Sequence, residues 1–110
     1  MDVEVEAIRQ AVTPYVEKLK GLTSPDAIKD FLLSEDIKAR QGRATQCAVA
    51  MYLQSGSGCV VGVSQNHIYA FIERCVDQSV CSWPVIADNT PAMKEFVYNF
   101  DDGFYPELVG

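Results

Sequence analysis

Cys47 and His67 are the two residues of this chain whose types could support nucleophilic catalysis. Cys47 opens an unbroken apolar run, Cys47-Ala48-Val49-Ala50-Met51-Tyr52-Leu53, whose residue types favour a helix. A thiol near a helix N-terminus, with Arg40 and Arg43 just upstream, is expected to have its pKa pulled down and to be the better nucleophile for it. His67 opens the second strand of an expected hairpin, from which it could reach across the helix. A third residue would have to orient the imidazole, and Asn66, Asp77 and Gln78 are the neighbours with suitable groups. The plainer reading is a small buried thiol and a histidine in a surface turn. The lack of a local cysteine-protease signature favours that reading, so an enzyme using Cys47 and His67 stands as the alternative.

A second set of residues could hold an anion. Arg40 and Arg43 present forked donors, Gly42 allows close approach to the backbone, and Thr45 adds a hydroxyl where the helix is expected to start. No GxxxxGK[ST] or GxGxxG pattern extends this to a nucleotide. A third set lies near the C-terminus, where Phe104 and Tyr105 stand among Glu95, Asp101, Asp102 and Glu107. Aromatics ringed by carboxylates suit a basic partner, and Asp101, Asp102, Phe104 and Tyr105 are the expected partner-binding residues. The four cysteines, Cys47, Cys59, Cys75 and Cys81, lack the tight two-residue spacing of zinc sites, and only one histidine is present. Reduced thiols, no metal and no cofactor are expected.

The elements that must position these groups come from one domain, residues 1–110, long enough for a single core. A net charge of −6 disfavours a nucleic-acid binder, which needs a basic footprint. The imbalance is uneven: residues 1–43 carry seven Lys and Arg against eight Asp and Glu, whereas residues 44–110 carry two against seven. With no apolar run near ~18 residues and no cationic-then-apolar start, neither a membrane span nor a signal peptide is expected, and the cytoplasm is the expected location.

Val5, Ile8, Val12, Tyr15, Val16 and Leu19 recur at helical spacing up to Gly21, and Pro14 should kink this helix or restart it with Thr13 as cap. Ser24-Pro25-Asp26 marks the start of a second helix that fails near Ser34, making a helical hairpin. Ile37 to Arg40 reads as a short extended piece. The central helix, buried on every side, should begin near Thr45 and stop at Ser55-Gly56-Ser57-Gly58. Strands are expected at Cys59–Val63 and Ile68–Ile72, with a weaker third at Val80–Ile86, where Pro84 confines it to an edge or an end. Thr90-Pro91 opens a last helix with Met93, Phe96, Val97 and Phe100 on one stripe, closed by Asp101-Asp102-Gly103. The fold class is α+β: an N-terminal helical hairpin, a central buried helix, a small mostly antiparallel sheet of two or three strands, and a C-terminal helix.

The run Cys47 to Leu53, followed by Phe100-Asp101-Asp102-Gly103-Phe104-Tyr105-Pro106-Glu107-Leu108, resembles a pattern in small uncharacterised proteins of actinobacteria and their phages. There a Cys-x-x-Ala-x-Tyr-Leu helix precedes a terminal Phe-Asp-x-Gly-x-Tyr-Pro-x-Leu. The residue after the cysteine is often proline in those proteins, whereas this chain has Ala48. The resemblance covers roughly residues 27–109 and implies an origin without an activity. The order helix-Cys, strand, strand-His is also reminiscent of papain-like peptidase cores, although the 20-residue separation is short for such an enzyme. The function expected from these readings is a small cytosolic adaptor or regulator acting by contact with a protein partner or with itself. An anion-binding or metabolite-binding module using Arg40 and Arg43 is the further alternative.

Overall fold

A computed structural model describes residues 3–74, 80–82 and 84–110, with side chains described for 5–71 and 84–110. In chain order it contains α1 (Val3–Lys20), α2 (Pro25–Ser34), α3 (Ala48–Ser57), β1 (Val61–Val63), β2 (His67–Ala70), β3 (Ile72–Arg74), β4 (Val80–Ser82), β5 (Val85–Asp88), α4 (Pro91–Asp101) and a closing 3-10 turn, Pro106–Leu108. The class is α+β, as the hydrophobic periodicities imply. No described helix is long and apolar enough to cross a membrane.

Two helix starts follow directly from local chemistry. Ser24 Oγ accepts the amide of Ala27 and Thr90 Oγ1 accepts the amide of Met93, each with proline in the first turn. Pro14 neither divides α1 nor restarts it. The position is exposed, so the carbonyl that its missing N–H would have served stays near water, and Thr13 Oγ1 donates to Arg9 O at 2.6 Å.

α3 is the centre of the core, with Ala48, Val49, Ala50, Tyr52 and Leu53 buried among α1, α2, β1 and α4. It starts later and ends later than its sequence implies. Cys47, not Thr45, is the N-cap, because Thr45 and Gln46 are still in a turn closed by Gln46 N–H to Arg43 O. At the other end the helix runs on through Gly56 and stops only at Gly58, which adopts φ 75°. Gly56 sits inside the helix for a packing reason. A Cβ there would lie 2.4 Å from Cε1 of Tyr15, so α1 approaches α3 only because that position has no side chain. Tyr15 then meets Tyr52 edge-on at 6.0 Å, and Tyr52 meets Phe31 at 5.2 Å.

The sheet is antiparallel in the order β1-β2-β5, with Val61 opposite Ala70 and His67 opposite Asp88. Ile68 faces Ala87 but Tyr69 faces Val85, which leaves Ile86 as an extra residue on β5. A separate ribbon pairs β3 with β4. Each of the two later strands read from the sequence is therefore broken in two. Pro84, which has no N–H to give, only accepts from Ala70, and the amide of Phe71 turns back to Val60 O. Past that point the chain pairs elsewhere. The first strand is shorter than Cys59–Val63, because the Cys59 amide is bound by Ser57 Oγ and Val60 is exposed. The outer edge of β1 is covered by the loop before α3, where Val63 N–H donates to Ala44 O.

α4 lays Met93, Phe96, Val97 and Phe100 on the core. Tyr105 stacks on Phe96 at 4.9 Å, and Leu108 is buried beneath the 3-10 turn. The terminal segment then bridges the extended piece at Ala39, with Ala39 N–H to Leu108 O and Gly110 N–H to Ala39 O.

Candidate functional site

Cys47 is held at the N-cap of α3 with only 3% of its surface exposed. Its sulfur has Ala44 O as its hydrogen-bonding neighbour, at 4.0 Å. Burial pushes the thiol up from 9.0 to about 11, and the nearby Asp101 carboxylate adds to the effect. The amides of Ala50 and Val49 act in the opposite direction and are outweighed. The lowering expected from the helix start and the arginines is thus reversed. Arg40 and Arg43 are exposed, so water screens their charge, whereas desolvation acts on the sulfur directly.

His67 begins β2 and points its Nδ1 to Oδ1 of Asp88, directly across the strand pair, at 2.8 Å. Both side chains are substantially exposed, at 43% and 80%. The residue that orients the imidazole is Asp88, not Asn66, Asp77 or Gln78. Asn66 instead accepts the amide of Asn89 through its carbonyl, and Asp77 and Gln78 lie outside the described residues. Cys47 and His67 therefore each serve a different partner. Local spacing gives no signal for Asp88, which stands opposite His67 only because Ile68 pairs with Ala87, one residue out of register with Ile86. Cys47 and Cys59 are free thiols, while Cys75 and the side chain of Cys81 lie outside the described residues.

The basic loop is occupied from within. Gly42, at φ 71°, donates its amide to Oδ1 of Asp101 at 3.1 Å, and Gln41 Nε2 caps the end of α4 through Phe100 O at 3.1 Å. A carboxylate does meet this loop, but it belongs to α4. The guanidinium groups of Arg40 and Arg43 are exposed and have no ion-pair partner among the described residues. Thr45 contributes its carbonyl, which accepts from Gln54 Nε2 at 2.6 Å. Beside the loop, a cavity of about 360 Å³ opens between Lys38, Arg40, Gln46 and Met51. A second, of about 420 Å³, shares Gln46 and Met51 and extends to Val60 and Phe71. Gln46 Oε1 is buried and has no hydrogen-bond partner among the described residues.

The acidic and aromatic surface divides sharply. Tyr105 is 6% exposed and belongs to the core, where its hydroxyl accepts from Asn99 Nδ2 at 3.3 Å. Phe104 is 63% exposed and follows the left-handed turn at Gly103, φ 90°, with its amide returned to Asn99 O. Asp101 and Asp102 are exposed beside it. Tyr98, 59% exposed, joins them and was missed from the sequence. Its signal is helical: it falls off the Met93, Phe96, Val97 and Phe100 stripe, while Tyr98, Asp101 and Asp102 share the opposite face. Two large aromatic rings and two carboxylates thus crowd one exposed helix end. Comparisons with protein-family models, curated proteins and solved structures find no match to the chain.

Proposed function

We propose that the protein is a small cytoplasmic binding module that acts by contact with another protein or with itself, and that its contact surface is the C-terminal turn of α4. The observation that carries this reading is the exposure of Tyr98 and Phe104 beside Asp101 and Asp102, in a chain that buries its other large aromatic side chains wholly or in part among the described residues. Exposed aromatics at the centre of a patch supply most of the energy in protein interfaces, and flanking carboxylates select a basic surface. The sealed thiol of Cys47 and the separate pairing of His67 with Asp88 lend no support to catalysis. Free thiols at Cys47 and Cys59 fit a reducing compartment. The anion-binding reading at Arg40, Gly42, Arg43 and Thr45 is less well supported, because Asp101 already uses the amide of Gly42.

Selection from a displayed random-peptide library tests the reading without knowledge of the partner. Binders are selected on the native protein and counter-selected on a Tyr98→Ala, Phe104→Ala variant whose fold is verified by circular dichroism. Enrichment of peptides combining Lys or Arg with apolar residues, specific to the native protein, is the expected outcome. Binders that do not distinguish the two proteins would place the contact surface elsewhere.

A further inference from the structure

We infer that the partner at the C-terminal turn of α4 is a second copy of this chain, docked about a twofold axis with Arg43 of each copy against Asp102 of the other. The inference rests on the reading of that turn as a contact surface and adds the identity of its partner. Its basis is the charge arrangement. The loop 40–43 and the end of α4 form one continuous surface, fixed by Gly42 N–H to Asp101 Oδ1 at 3.1 Å and by Gln41 Nε2 to Phe100 O at 3.1 Å. On that surface stand two exposed guanidiniums, Arg40 and Arg43, and two exposed carboxylates, Asp101 and Asp102. None of the four takes part in an ion pair among the described residues.

An acidic patch on a chain of net charge −6 would repel its own copy if it stood alone. Here the positive groups of the loop are locked next to it, so the face carries both signs together with the apolar rings of Phe104 and Tyr98. A face of that kind is complementary to itself under a twofold rotation, because each copy offers at one point what the other needs at the matching point. A basic peptide can engage the rings and the acidic half of this surface, whereas a second copy engages both halves. A second copy uses the arginines and the carboxylates together, whereas an acidic peptide or a free anion would use the arginines alone.

The test is a charge exchange read by sedimentation equilibrium, at protein concentrations up to about 1 mM so that a weak association is also detected. Asp101 is left intact, since it anchors Gly42. The native protein should form dimers in a concentration-dependent and salt-sensitive way. Arg43→Asp alone and Asp102→Arg alone should each be monomeric, and an equimolar mixture of the two should dimerise again, since the mixed dimer keeps the native Arg43–Asp102 contact on one side of the axis and has the same contact with its charges exchanged on the other. Phe104→Ala should weaken the native dimer by roughly tenfold or more, as loss of a central aromatic does. Circular dichroism of each variant separates loss of contact from loss of fold. A native protein that stays monomeric at the highest concentration, or a mixture no more associated than its components, would overturn the inference. If the native protein is monomeric while the selected peptides still distinguish it from the Tyr98→Ala, Phe104→Ala variant, the second copy is excluded and the contact surface stands. If both experiments fail, the surface itself is wrong.

Discussion

A cysteine at a helix N-cap stands between two opposing influences: amides that stabilise the thiolate and the loss of water that penalises it. In Cys47 burial prevails and the thiol is pushed up to about 11. The folded-state value lies above the ordinary 9.0, so the native state holds the proton more tightly than the unfolded chain does. The stability this provides is fully present below about pH 9 and is lost as pH rises toward about 11, a change on the order of 2 kcal/mol. The hydroxyl of Tyr52, raised by burial and then by the Glu35 carboxylate and Tyr15, adds a loss of the same sign at higher pH. Cys47→Ala separates the two. Denaturant midpoints measured from about pH 8 to about pH 11 should fall more steeply in the native protein than in that variant, and parallel curves would show that Cys47 does not titrate as a buried thiol. Single residues were legible in the sequence by type but not by surroundings. The pairing of His67 with Asp88 depends on strand register. The use of Gly42 by Asp101 joins residues 59 apart. Neither is written in local spacing.

Elements whose ends are set by neighbours in sequence are the ones the sequence revealed. Ser24-Pro25 and Thr90-Pro91 cap their helices through bonds three residues long, and both starts are found where expected. Boundaries set by distant packing were not legible. The strands break at Phe71 and Pro84 because the amides of Ala70 and Phe71 bond to carbonyls on two different segments. Gly56 reads as a helix stop but serves as a seat for Tyr15. This difference has a measurable sign. In an open helical position Gly→Ala stabilises by about 1 kcal/mol. At Gly56 the added methyl would meet the Tyr15 ring, so Gly56→Ala should instead destabilise by about 1–3 kcal/mol in urea unfolding. The loss should shrink when Tyr15→Ala is introduced with it. Stabilisation by Gly56→Ala alone would show that the ring is free to move away.

At the scale of the whole molecule, the charges and exposed rings gather at one end of α4. The basic loop and the acidic turn, far apart in sequence, become a single face through the bonds of Gln41 and Gly42. The candidate catalytic residues do not converge in the same way, since the Cys47 side chain is committed to the core and His67 to Asp88 across the β2–β5 pair. Contact through the Phe104 surface, without use of Cys47, is therefore the central claim. Its most direct measurement is the affinity of the best display-selected basic peptide for three proteins: native, Phe104→Ala and Cys47→Ala. Phe104→Ala should weaken binding by roughly tenfold or more, equivalent to about 1.4 kcal/mol, while Cys47→Ala leaves it within about twofold. Equal affinity for native and Phe104→Ala proteins, or loss of binding in a folded Cys47→Ala variant, would contradict it.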